Sequence, residues 1–397
     1  MKISSKYFRL SLYYFFYFTT ISTYAPYLGL YLSFRGLSYT EVGLALAVPP
    51  FIGLFAQPVW GMIVDHYQNE RWLVPSWIGL SALALLLFQH LSGLDWLLPG
   101  LAVFALMQTG TVPVVDSLTI RVTGIENFGK VRLFGSLGWA LAALPTAFIY
   151  HKFGITMLPY TYFVAVILAL IGWSIYPKMI SSKRYRNRSH HTNNRLALKR
   201  LLHNKRFLLV LLATTLVTTS QSINGNFFAI YYHDLGHPMN LLGGIYSLGA
   251  LCELPFMFFV GRLLNRFGPG RVFLIGATVF ALRWVTLSLS PPTYILLLAQ
   301  LTHGISFGFT FPAGVAIAAG VSEEGTRATA QAIYSAFNTG ISFIIGSIFG
   351  GIALTSFGPL ALYREATGLA LIGILAMVFM LRRWGELVAS ENDQSMN

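Results

Sequence analysis

Acidic residues are scarce in this chain: 14 Asp and Glu stand among 397 residues, against 27 Lys and Arg, and only 10% of positions are charged. A water-facing surface draws roughly a quarter of its residues from the charged types, so these few cannot clothe a soluble particle of this size. Cytosolic enzymes, secreted domains and disordered chains are excluded on that ground. Cysteine is almost absent too. The single Cys252 rules out an intramolecular disulfide, and it lies inside an apolar run. The nine histidines show no metal-ligand spacing beyond His190-His191, so neither a metal nor a cofactor is expected. A membrane enzyme would need such a cluster or a nucleophile–base pair, and neither is evident.

What is abundant is apolar: 55% of residues are hydrophobic, 15% are aromatic, and mean hydropathy is +0.62. A membrane span takes about 20 mostly apolar residues. Uncharged runs of that length recur along the whole chain, and two longer ones are divided at Ser290-Pro291-Pro292 and at Gly358-Pro359. Twelve helices are therefore expected, near 8–34, 40–64, 72–90, 94–122, 130–150, 155–177, 207–233, 240–264, 271–290, 293–320, 327–355 and 359–382. The fold expected is an all-α integral membrane protein with two pseudo-symmetric six-helix bundles. Lys2, Lys6 and Arg9 ahead of an apolar stretch resemble a signal peptide, but the uncharged run 10–34 is too long for one and fits an uncleaved first span.

The net charge of +13 would suggest nucleic acid in a soluble protein. Here the cations sit between apolar runs, where they set orientation, so the lipid bilayer and not nucleic acid is the expected partner. Between 178 and 206 lie ten Lys and Arg and no acid. That segment reads as a cytoplasmic linker joining a bundle at 1–177 to one at 207–397. With both termini inside, only Arg35, Lys152 and Arg364 fall outside, and Arg283 falls within a helix. The two halves also repeat. Gly61 and Asp65 close the second helix, and Gly261, Asn265, Arg266, Gly268 and Arg271 close the eighth, at an offset of about 200. Parallel six-span repeats across a central linker are the layout of rocking transporters.

Ionisable groups inside a span are costly, and mark function by default. Asp116, Arg132, Glu253, Arg283 and His303 stand out, although Asp116 and Arg132 also lie near enough to helix ends to be interfacial. Polar stripes at helical spacing accompany them: Thr20, Thr23, Tyr27 and Tyr31; Arg132, Ser136 and Trp139; Thr214, Thr218, Gln221 and Asn224; Gln331, Ser335, Asn338 and Ser342. Such stripes line a polar cavity or serve as glue between helices.

The Gly, Asp, Arg, Gly, Arg loop pattern resembles that of the major facilitator superfamily, with His66-Tyr67-Gln68-Asn69 departing from it in the first copy and Asn265 replacing the acid in the second. The stretch Phe128-Gly-Lys-Val-Arg132-Leu-Phe134-Gly135-Ser-Leu-Gly138-Trp139, with Tyr24-Ala-Pro26-Tyr27, resembles the oligosaccharide/proton symporter group of the lactose permease and the related phenylpropionate permease group. That resemblance implies sugar contacts for Asp116, Arg132 and Trp139, and a proton-coupling role for Arg283 and His303. Further candidates for solute binding are Tyr27, Ser136, Gln221, Asn224 and Asn338. The glutamate of the symporters' proton relay is Ser306 here, and their acids in the seventh helix are Gln221 and Asn224. Glu253 is then expected to carry the proton, loading and unloading as Arg283 approaches and withdraws. The implied function is alternating-access symport of a sugar, glycoside or nucleoside, driven by a proton gradient. The implied protein is no enzyme and works as a monomer in a plasma membrane of bacterial inner-membrane type, both termini cytoplasmic. Uptake of an aromatic carboxylate is the alternative, and a non-transporting sensor the alternative of another class.

Overall fold

Glycine and proline punctuate the chain. Gly124 and Gly268 take positive φ (76° and 82°), which only glycine adopts freely, and each is followed directly by a new helix. The computed structural model describes residues 5–67, 69–175, 194–322 and 326–386, with the side chains of 5, 6, 65, 125, 126, 194–197 and 328 outside that description. Regular structure among the described residues is helical throughout. In chain order the α-helices are α1 (Ser5–Tyr24), α2 (Leu28–Phe34), α3 (Tyr39–Tyr67), α4 (Glu70–Phe88), α5 (Leu94–Thr109), α6 (Thr111–Thr123), α7 (Ile125–Phe153) and α8 (Leu158–Ser174). They continue with α9 (Asn194–His203), α10 (Lys205–Asp234), α11 (Met239–Phe267), α12 (Pro269–Ser288), α13 (Thr293–Leu301) and α14 (His303–Gly320). The last are α15 (Arg327–Ser335), α16 (Ser342–Phe357) and α17 (Pro359–Trp384), with a π-helical segment, Ala336–Ile341, between α15 and α16.

Eleven helices among the described residues are long and apolar enough to cross a membrane, where twelve were expected. The first expected span, 8–34, is divided at Ala25–Tyr27, because Pro26 donates no backbone hydrogen bond and turns the residue before it out of the helix. Two other spans contain breaks that hydropathy does not show. One lies at Gly110, between α5 and α6, where Pro113 deprives the Thr109 carbonyl of its donor; Trp60 Nε1 donates to the nearby Leu106 carbonyl at 2.7 Å. The other lies at Thr302, between α13 and α14.

The helices form two compact units. One comprises residues 5–175 with Gly225–Leu251 and Ser347–Pro359. Its centre is α1 packed on α7 and α8, where an added Cβ on Gly138 would overlap the Phe15 carbonyl and one on Gly135 would meet the Phe18 ring at 2.8 Å. Tyr13, Tyr14, Tyr17, Tyr24, Tyr27 and Tyr162 fill this core. Within the same unit Gly43 lies against Ser347, whose carbonyl an added Cβ would approach to 2.5 Å, and Tyr39 Oη donates to Asp234 Oδ2 at 2.7 Å. The second unit comprises residues 194–224 with Cys252–Gly346 and residues 360–386. There α12 packs on α14, an added Cβ on Gly276 meeting the Ser306 carbonyl at 2.9 Å. Gly304 comes so near α11 that a Cβ would overlap the Cys252 carbonyl.

Candidate functional site

In the first unit, the close approach of α1 and α7 sets Arg132 beside Asp116. Tyr14 Oη donates to Asp116 Oδ1 at 2.7 Å and to Thr119 Oγ1 at 3.2 Å. Arg132 Nε lies 3.7 Å from the same carboxylate oxygen, and its guanidinium sits 4.1 Å above the Phe18 ring. The two charged side chains keep a quarter to a third of their surface exposed (26% for Asp116, 33% for Arg132), so the pair is not sealed in the core. Tyr14 did not stand out in the sequence, because a tyrosine in a helix this rich in aromatics gives no signal. Ser136 and Trp139 are half-buried on α7, one turn apart, and the Trp139 carbonyl accepts from Ser22 Oγ at 2.9 Å. Tyr27 departs from the sequence expectation. Its ring is fully buried, edge-on to Tyr150 and Tyr246, so in this conformation it packs rather than lining a cavity.

The second unit brings three of the expected ionisable groups into one chain of hydrogen bonds. His303 Nε2 stands 2.8 Å from Glu253 Oε1, and Arg283 Nη1 stands 2.9 Å from His303 Nδ1. Arg283 Nη2 donates to Gln300 Oε1 at 2.7 Å, and the guanidinium lies 5.1 Å from the Trp284 ring centroid. A guanidinium can only donate, so Nδ1 accepts, and neutral His303 carries its proton on Nε2, facing the Glu253 carboxylate. The contact between Gly304 and Cys252 explains the register, since their chain neighbours are His303 and Glu253. Arg283 is only 4% exposed; its two terminal nitrogens are engaged, while Nε has no hydrogen-bond partner among the described residues. In this conformation Arg283 therefore reaches Glu253 through the imidazole. Gln300, absent from the sequence candidates, completes the chain.

The remaining polar candidates divide. Asn338, in the π segment, has its amide engaged at both ends: Oδ1 accepts from Thr218, and Nδ2 donates to the Tyr334 carbonyl and to Thr214 Oγ1. It joins α10 to the π segment, with its amide held by the protein in this conformation. Asn224 Oδ1 accepts from Tyr363 Oη at 3.0 Å, and Gln221 lies half-buried one turn earlier.

The loop motifs also take an unexpected form. Added Cβ atoms on Gly61 and Gly261 would meet nothing within 4 Å, so neither glycine marks a helix contact here. The Asp65 side chain lies outside the described residues. Asn265 and Arg266 are exposed, the latter over the Phe267 ring. A carboxylate from beyond α17 reaches the loop after α11. Glu386 Oε1 accepts from the Gly270 N–H at 2.6 Å, and Oε2 lies 3.7 Å from Arg271 Nε, placing a carboxylate on the N-terminus of α12 just after Gly268.

Many apolar helices carrying a few paired charges within the spans are the build of a multi-pass membrane solute transporter. The chain belongs to the MFS_1 like family of the major facilitator superfamily, whose sequence profile matches residues 7–365. The maltose permease of Geobacillus stearothermophilus is 28% identical over 375 residues, covering 94% of each chain. The probable 3-phenylpropionic acid transporter of Escherichia coli is 26% identical, covering 86% of this chain and 89% of its own. The crystal structure of the nucleoside transporter NupG superposes with a TM-score of 0.82 at 16% identity, over 96% of this chain and 100% of that one, a likeness of fold.

Proposed function

We propose that this protein is a proton-coupled symporter that takes up a sugar or glycoside by alternating access. It works as a monomer in an inner membrane with both termini cytoplasmic. Bundles at 1–177 and 207–397, joined by the basic linker 178–206, rock about the solute. The observation that carries this reading is the Arg283–His303–Glu253 chain, set within the spans with Arg283 buried and the other two side chains part-buried. In the bonded state Glu253 is ionised, His303 is neutral and the charge of Arg283 is balanced. Protonating Glu253 removes the balancing charge and leaves the guanidinium uncompensated, so proton loading favours a rearrangement of α11 against α14. A carboxyl that can be charged only in one arrangement couples the proton to the motion.

The solute reading rests on the first unit. Asp116 and Arg132 together offer acceptors and donors for several hydroxyls, and Ser136 and Trp139 follow on the same helix. Because Asp116 already offsets the Arg132 charge, this pair favours a neutral hydroxylated solute over a carboxylate. The similarity to a maltose permease supports the same choice. The test is uptake by proteoliposomes under an imposed pH gradient, screened with sugars, nucleosides and aromatic acids. Accumulation of a sugar supports the reading, and accumulation of an aromatic acid alone replaces it.

A further inference from the structure

The helix α9, just ahead of the spanning helix α10, has a face that none of the described residues covers. Leu201 is 2% exposed where α9 meets α15, whereas Leu198 and Leu202, one turn apart beside it, are 42% and 51% exposed. Lys199, Arg200 and His203 occupy the opposite arc and are also exposed. Asn204 fixes the junction with α10: its Oδ1 accepts from the Phe207 N–H at 3.1 Å, and its Nδ2 donates to the Val321 carbonyl at 3.1 Å. With one residue between α9 and a membrane span, α9 has to lie at the boundary between bilayer and water.

We infer that α9 is an interfacial anchor that seats Leu198 and Leu202 among acyl chains and engages anionic phospholipid headgroups through Lys199 and Lys205. The apolar arc and the basic arc of one short helix are the two requirements for binding at a membrane surface. Charge complementarity selects an anionic surface, since the segment 178–206 contains no acid to repel it. A basic residue close to such a surface contributes about a five-fold preference over a neutral lipid. The anchor would hold the start of α10 in register with the bilayer. It is independent of which solute is carried.

The test uses the full chain with Cys252→Ala and Leu202→Cys, labelled at residue 202 with an environment-sensitive fluorophore. The protein is reconstituted in phosphatidylcholine vesicles with and without phosphatidylglycerol. The expected result is a blue-shifted probe, quenched by brominated lipid and shielded from aqueous iodide, with embedding that increases with phosphatidylglycerol and weakens in high salt. Lys199→Gln with Lys205→Gln should lower the preference for the anionic lipid by roughly thirty-fold, two cations' worth, while thermal stability in phosphatidylcholine is unchanged. Iodide quenching that is equal in both lipids overturns the inference, as does embedding that ignores phosphatidylglycerol and survives the double substitution.

Discussion

Gly304→Ala is the smallest change that separates the proposed proton relay from the rest of the protein. The new methyl would overlap the Cys252 carbonyl, so α14 must withdraw from α11 by about 1 Å to restore van der Waals contact. His303 and Glu253 sit beside these two residues, and their 2.8 Å bond would lengthen to about 4 Å, outside hydrogen-bonding range. Overpacking of this kind costs about 1–3 kcal/mol of stability. Losing a hydrogen bond to a charged group shifts the relay's equilibrium by about 1.5–3 kcal/mol, ten-fold or more. The expected phenotype is solute exchange across energised and unenergised proteoliposomes alike, with accumulation falling to near equilibrium. Gly244→Ala, where an added Cβ meets nothing within 4 Å, is the matched control and should behave as the parent. Full accumulation by a destabilised but folded Gly304→Ala protein would refute the reasoning that this bond couples the proton.

Tyr14→Phe removes the 2.7 Å donor to Asp116 and should weaken solute binding by about ten-fold, seen as a higher half-saturation in exchange assays. Glu386→Ala uncaps α12 and should lower stability by about 1 kcal/mol, with Glu386→Gln recovering part of the loss, both read from thermal unfolding in detergent. His237 lies outside the spans, packed against Tyr232, and burial holds its imidazole below the ordinary value of 6.5. Its contribution to stability is therefore complete above pH 6.5 and is lost as pH falls below it, because the unfolded chain takes up the proton first. His237→Gln should flatten that acid limb of the melting-temperature profile.

Hydropathy located the spans well because lipid leaves long uncharged runs no alternative to helix. The Pro291-Pro292 and Gly358-Pro359 breaks fall where α12 gives way to α13 and α16 to α17. The divisions at Gly110 and Thr302 and the π segment escaped notice, since an apolar run reads alike whether its hydrogen bonds are α, π or interrupted. The charged candidates stood out for a related reason: an ionisable side chain inside a span, such as Glu253 or Arg283, is costly. Their geometry was not. Which group touches which depends on the Gly304–Cys252 approach, and Gln300 joins the chain only through tertiary placement. Glu386 shows the same limit from the other side. Its partner Gly270 lies 116 residues away, so a carboxylate at the start of α12 gave no local signal in the sequence.

Solute-driven proton movement tests the central claim most directly. When the solute identified by the screen is added to lightly buffered proteoliposomes without a gradient, the external medium should turn alkaline as protons enter with it. Glu253→Gln should abolish that signal while leaving solute counterflow measurable. Alkalinisation that persists undiminished in Glu253→Gln would contradict the account.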